Sequence, residues 1–451
     1  MMHHRREWFG LSAAGLLGAH LVTSAQAGEA PGRTAPLRIK DLKVTPIALP
    51  DPPLLASSGC HGPYFLRNVV ELETDGGIVG IGETVGGERM TAALHQARDV
   101  VKGQNAFAYR AFSTELKALA QGAFAGIELA CLDACGQATG RRACELLGGP
   151  VRERVEFAAY LFYRYAADHP TILADPHVVD GRGKGAKALD SWGEVRTPEA
   201  MAAMADKFRA TWGFRVFKLK GGVLPPDVEL ESMRAMNAKF GGKCPLRIDP
   251  NGRWRVETAK RIGQQLHEVA LEYYEDPVDG QAAMAEVRQA TGLPMSTNMC
   301  VTRLDHIPEA LRLHPIDVLL LDNHYWGGIS TCQAVGTVCE FAHWKASQHS
   351  NSHAGITMAA MITLAAVVPQ VTLASDTHYP WLVESADILE GPKLPIQDGH
   401  MTVPAGPGLG VRLDQDKLAR AHEVYQKCGM RGRDDASLMK QMEPGWTGAK
   451  Y

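Results

Sequence analysis

The chain carries no excess of charge of either sign: 47 Lys and Arg stand against 50 Asp and Glu in 451 residues, a formal net charge of −3. A nucleic-acid binder normally presents a basic face, and no basic run is present, so that class is excluded. Beyond the N-terminal stretch no segment holds about 18 uninterrupted apolar residues, and the mature chain is not expected to span a membrane. Cysteine is sparse and unpatterned. Nine occur, an odd number with no Cys-x-x-Cys pair, which argues against both a zinc ribbon and a complete disulfide framework. Cys131 and Cys135 sit one helical turn apart and read as packing residues. A Gly-rich dinucleotide fingerprint after an early strand is also missing, which weakens the case for an open doubly wound sheet.

The N-terminus reads as an address. Arg5 and Arg6 precede an apolar stretch, and Ala25-Gln26-Ala27 is a small-residue cleavage pattern. Residues 1–27 are therefore expected to be a twin-arginine signal that sends the protein to the periplasm; a basic tail or an uncleaved anchor is the alternative. Folding in the cytoplasm before export would bury the thiols and reconcile nine cysteines with an oxidising compartment.

Residues 28–155 read as an α+β domain. Apolar runs flank Asp75-Gly76-Gly77, a hairpin signal, and an Ala- and Leu-rich helical stretch then runs to Gly148-Gly149-Pro150. Over residues 156–404 the pattern changes to short apolar runs separated by helical stretches. The runs fall at 157–163, 215–220, 246–250, 271–277, 294–299, 317–322, 344–349 and 371–376. Eight parallel strands with intervening helices close naturally into a barrel, with polar residues at the strand ends facing its C-terminal mouth. Residues 164–196 have little periodicity and are expected to form a long loop after the first barrel strand. Residues 405–451 leave the barrel and are expected to return to the first domain.

Asp249, Glu275 and Asn298 end successive predicted strands, 26 and 23 residues apart, about one strand-plus-helix unit each. Singly, each could merely end a strand or start a turn; together they could hold one hard divalent cation, and oxygen-only ligation suits Mg²⁺. Lys218 and Lys220 lie two apart on a strand and so share a face. On the barrel interior, each ammonium would lower the pKa of the other toward the range of a general base; a solvated edge pair is the bland alternative. Asp322 and His349 end the next strands. A carboxylate on one imidazole nitrogen fixes the tautomer and raises the basicity of the other, although an isolated core histidine would be the commoner reading. His353 lies four residues beyond His349, but no Glu follows His349 as a His-Glu-x-x-His zinc pair requires.

The order of these motifs resembles the glucarate dehydratase group of the enolase superfamily. The resemblance rests on Phe217-Lys-Leu-Lys-Gly-Gly-Val, Asp249-Pro-Asn-Gly, Glu275-Asp-Pro, Thr297-Asn-Met, His349-Ser-Asn and Asp376-Thr-His. It extends from Tyr64-Phe-Leu-Arg-Asn and Gly80-Ile-Gly-Glu-Thr-Val-Gly-Gly-Glu to Arg433-Asp-Asp and Pro444-Gly-Trp-Thr. It implies a modified TIM barrel of (β/α)7β type with an N-terminal α+β capping domain, and Mg²⁺ on Asp249, Glu275 and Asn298. Lys220 and the His349–Asp322 dyad would act from opposite sides of the substrate, with the metal stabilising an ene-diolate. Lys218 would lie near the substrate carboxylate, and Asn251 and Asn351 would position or stabilise the intermediate. His61, Tyr160, Phe162, His378 and Arg433 would contact the rest of a small dicarboxylate acid sugar, the guanidinium gripping its distal carboxylate. Ala125 stands where the resemblance implies a substrate-binding Thr.

The expected reaction is dehydration of D-glucarate or a related hexarate to a keto-deoxy acid. Epimerisation on the same two bases, and non-catalytic binding of an acid sugar, are the alternatives. A homo-oligomer is admitted, though no motif specifies one.

Overall fold

Alternating apolar residues and one tight turn build the first layer. In the computed structural model, which describes residues 36–179 and 192–451, β1 (Ile39–Pro50), β2 (Tyr64–Thr74) and β3 (Val79–Val85) form an antiparallel sheet in that order. The β2–β3 turn closes as Ile78 N donates to Thr74 Oγ1 at 3.1 Å, while Gly77 takes a left-handed φ of 75°. Helices α1 (Glu88–Val101) and α2 (Gln121–Thr139) follow. α2 packs on β2 and β3 so closely that a Cβ on Gly82 would strike the Gly126 carbonyl.

The eight apolar runs become eight parallel strands among the described residues. They are β4 (Arg154–Phe162), β5 (Phe217–Lys220), β6 (Leu246–Asp249), β7 (Leu271–Glu275), β8 (Met295–Thr297), β9 (Val318–Leu321), β10 (Lys345–Gln348) and β11 (Ser375–Thr377). Each pairs with the next in sequence from β4 to β10, and β11 returns to the free edge of β4. A parallel bridge between Ala346 and Val371 joins the last gap, so the sheet curls into a nearly closed barrel and the open-sheet alternative falls. The crossovers carry α3 (Pro198–Trp212), α4 (Pro226–Lys239), α5 (Val256–Gln265), α6 (Gln281–Thr291), α7 (Ile307–Leu313), α8 (Ile329–Phe341) and α9 (Gly355–Val367). Among the described residues each crossover carries one of these longer helices, the expected (β/α)7β arrangement.

α9 differs from its siblings. All thirteen of its residues are buried, and its sequence is apolar on every face, as a helix enclosed by protein must be. It touches β3 of the first sheet on one side and β4 of the barrel on the other. After the barrel, β12 (His400–Thr402) pairs antiparallel with the start of β4, and α10 (Gln415–Lys427) packs on β1. α11 (Asp435–Met442) lies against the turn at Gly59 and Cys60. Residues 37–451 form one compact unit.

The expected export signal, and residues 180–191 of the expected long loop, lie outside the described residues. The two ends of that loop are tied together: Arg164 N donates to Val195 O at 2.9 Å, and Val195 N to Arg164 O at 3.0 Å. All nine cysteines are free thiols, eight buried and Cys300 half-buried, and Cys131 and Cys135 are core residues of α2. Ala125 is fully buried in the same helix. No helix among the described residues is long and apolar enough to cross a membrane.

Candidate active site

Polar side chains collect where the barrel strands end. Lys220, Asp249 and Glu275 are the last residues of β5, β6 and β7; Asn298, Asp322 and His349 follow β8, β9 and β10 by one residue. The parallel register sets Lys220 beside Asp249, and Lys220 Nζ donates to Asp249 Oδ2 at 2.7 Å and to Asn251 Oδ1. Asn251 reaches the lysine because its backbone is left-handed, with φ 55°. Burial alone would push the Asp249 carboxyl up, but the Lys220 and Lys218 ammonium groups outweigh it and hold the group down to about 2.

Lys218 corrects one expectation. Two crowded ammonium groups were expected to lower each other, yet Lys218 Nζ contacts Glu275 Oε1 at 2.7 Å and Oε2 at 2.6 Å, and Asp376 Oδ2 at 2.6 Å. Asp249 Oδ2 lies 3.5 Å away. Burial opposes the charge, but these carboxylates prevail and raise Lys218 well above the ordinary lysine value. Lys218 is thus enclosed by carboxylates that favour its charged form.

The predicted metal ligands converge. In the orientation that satisfies its neighbours, the Asn298 amide nitrogen donates to Glu275 Oε1 at 3.3 Å and to Asp276 Oδ2 at 3.2 Å. The same orientation lets its oxygen accept from His349 Nε2 at 3.2 Å. Among the described residues no three His, Cys, Asp or Glu side chains form a metal-holding group, because this set is two carboxylates and one amide. An all-oxygen set fits Mg²⁺ and not a thiolate or imidazole metal site.

The other arm is the dyad. His349 Nδ1 lies 2.9 Å from Asp322 Oδ2, and Asp322 Oδ1 accepts from His324 N at 2.8 Å. Burial pushes Asp322 up, but His324 and His349 more than offset it and hold the carboxyl well below the usual range. With Nδ1 committed, Nε2 is the nitrogen turned toward Asn298. Tyr325 stacks on the His349 ring, centroids 5.2 Å apart, and its hydroxyl accepts from Asn351 Nδ2 at 3.4 Å.

An aromatic wall completes the mouth. Tyr160, Phe162 and His378 meet with centroids 4.6 to 4.9 Å apart, and His61 stacks parallel to His378 at 6.4 Å. Tyr160 Oη also donates to Asp249 Oδ2 at 3.3 Å, and Lys218 Nζ lies 4.5 Å from the centre of its ring. Burial lowers His378 well below the ordinary histidine value, and the neighbouring His61 adds to the effect, so it is neutral. His61 Nδ1 is 3.5 Å from Asp51 Oδ2. Arg433 Nε donates to both oxygens of Asp435, at 2.8 and 2.7 Å, which fixes the plane of its guanidinium.

The structure adds residues the sequence reading did not place in the site. Asp376 on β11 bridges Lys218 and Arg247, the latter at 3.1 Å; its signal was the acid in the Asp376-Thr-His motif at the last strand end. Asp276 accepts from Thr297 Oγ1 at 2.5 Å and Asn298 N at 2.8 Å, and so orients the Asn298 turn. Arg67 and Glu83, on β2 and β3, pair at 2.7 Å, and Glu83 also accepts from Ala354 N and Thr357 N at the start of α9. Arg67 lies 3.3 Å from His324 Nε2, which carries this clamp to the Asp322–His349 dyad.

Comparison with known proteins finds relatives that span nearly the whole chain. A model of the family described as Enolase C-terminal domain-like matches residues 200–417. A probable glucarate dehydratase of Streptomyces coelicolor is 41% identical over 442 residues, covering 92% of this chain and 98% of that protein. An enolase of Thermobispora bispora, solved with magnesium and formate, has a TM-score of 0.85 at 39% identity over 92% of this chain and 99% of its own. An enolase of Pseudomonas fluorescens with bound magnesium, potassium and tartrate gives a TM-score of 0.85 at 36% identity, over the same shares of the two chains.

Proposed function

The chain belongs to the enolase superfamily, in its glucarate dehydratase group, and from that premise we propose that it dehydrates a dicarboxylate acid sugar, D-glucarate or a related hexarate, to a keto-deoxy acid. The observation that carries the reading is the placing of two proton-transfer groups around one cluster of oxygen ligands. Lys220 is held by Asp249 and Asn251, and His349 is held by Asp322 with its Nε2 toward Asn298. Magnesium in the solved relatives, together with Asp249 and Glu275 meeting at Lys218 and Asn298 lying against Glu275, supports Mg²⁺ as the cofactor. Bound there, Mg²⁺ would neutralise negative charge developing on the substrate carboxylate.

The chain's own residues then divide the work. Lys220 or His349 takes the proton from the carbon next to the bound carboxylate, according to which face of the sugar it meets. Protonated His349 gives a proton to the departing hydroxyl, water leaves, and the enol that remains rearranges to the keto acid. Lys218 keeps its positive charge throughout and balances the buried carboxylates. Tyr160, Phe162, His378, His61 and Arg433 hold the distal part of the substrate, and the guanidinium is chemically suited to its second carboxylate.

Assay of the purified protein against a panel of acid sugars tests this directly. Keto-acid formation from a hexarate is expected, lost with a chelator and restored by Mg²⁺; no turnover of any hexarate with Mg²⁺ present would refute it. Deuterium uptake from solvent without keto acid would favour epimerisation on the same two bases. Ligand binding without any exchange would leave a binder.

A further inference from the structure

Lys220 is the last residue of β5, and the chain turns sharply immediately after it. Gly221 N donates to Asp249 O at 2.9 Å, and the next three backbone N–H groups all go to one side chain. Gly222 N donates to Glu229 Oε2 at 2.9 Å, while Val223 N and Leu224 N donate to Oε1 at 2.8 and 2.9 Å. Glu229 stands in the first turn of α4 and is fully buried. The glycines are demanded by the same contact. A Cβ on Gly221 would come within 2.7 Å of Glu229 Oε2, and Gly222, at φ 72°, would drive one into the Pro250 carbonyl. On the outer side Tyr451 Oη donates to Val223 O at 3.2 Å.

We propose that Glu229 is a positioning residue for Lys220: by gathering the three N–H groups after Gly221 it fixes the exit of β5, and so the aim of the lysine at one face of the substrate. The proposal rests on the two-base reaction assigned above. Its specificity comes from topology. His349 is held through Asp322 just past β10 and β9, neither of which pairs with β5, so loosening the β5–α4 loop is expected to disturb one base only. A carboxylate is required because both its oxygens accept. In Glu229→Gln the amide oxygen can keep Val223 and Leu224, but the NH₂ then faces Gly222 N–H, donor against donor, two residues from Lys220.

The test is exchange in D₂O of the proton next to the carboxylate, measured for two hexarate epimers that differ at that carbon. The epimer whose exchange Lys220→Ala abolishes identifies the lysine face. Glu229→Gln is expected to slow exchange on that face about tenfold or more, the scale of a small misplacement of a reacting group, and to leave the His349 face unchanged. Glu229→Asp, which keeps the charge but shortens its reach, should fall between, and carries the same test if the glutamine variant does not fold. Equal slowing of both epimers, or of neither, overturns the inference while the reaction stands. A wild-type protein that exchanges neither epimer overturns the reaction and the inference with it.

Discussion

At the scale of single residues the site is a set of charges each held in one state by its neighbours. Asp322 keeps His349 in one tautomer, so Asp322→Asn removes the acceptor for Nδ1–H and is expected to lower kcat about 100-fold with little change in KM, read by steady-state assay. Lys220→Ala is expected to cost about 100- to 10,000-fold on its own face of the substrate. That Asp249, Glu275, Asn298, both lysines and the Asp322–His349 pair stand at the same end of the barrel was legible in the sequence, because strand ends of a parallel barrel point to one place. The charge state of Lys218 was not. It is decided by Asp376, 158 residues away, and no local pattern shows that a carboxylate will arrive beside the ammonium. Glu229 escaped for a related reason: an acid in the first turn of a helix ordinarily faces solvent, and only the fold shows three backbone donors waiting for it.

At the scale of elements, the joint between α9 and the first sheet turns on one buried carboxylate. Glu83 takes Arg67 and two N–H groups from the start of α9, all out of water; burial works against its charge, but Arg67 prevails and the carboxyl lies below its ordinary value. Glu83→Ala leaves a buried guanidinium and two backbone donors without their acceptor. A loss of roughly 3–5 kcal/mol is expected, measured by denaturant unfolding, with activity falling too because Arg67 adjoins His324. The barrel strands were readable as apolar runs between helical stretches, but seven of the eight runs were longer than their strands, while β4 begins three residues before its run, at Arg154. The run 371–376 yields only Ser375–Thr377 as a strand, because Val371 makes a single bridge to Ala346 and leaves the ladder. Hydrophobic pattern reports which residues are buried, and burial continues past the last ladder bond.

At the scale of the molecule, buried neutral histidines make acid the natural denaturant. Burial holds His353 down to about 4; Glu83 opposes this, and Arg67 and His324 add to it. The unfolded chain takes up its proton near 6.5, so stability present above that pH is lost as pH falls toward 4, by about 3 kcal/mol from this residue. Urea midpoints measured from pH 7 to 4 should show that slope, and His353→Gln should flatten it; equal slopes would exclude His353 as the source. The export proposal is read at the same scale: in a host with the twin-arginine route, the intact mass is expected to lack residues 1–27. The thirteen buried residues of α9 carry a last consequence. The helix is a party wall, serving as lining for the first sheet and for the barrel at once. Neither room can be built without it, so a genetic cut between them would expose an apolar rod to water.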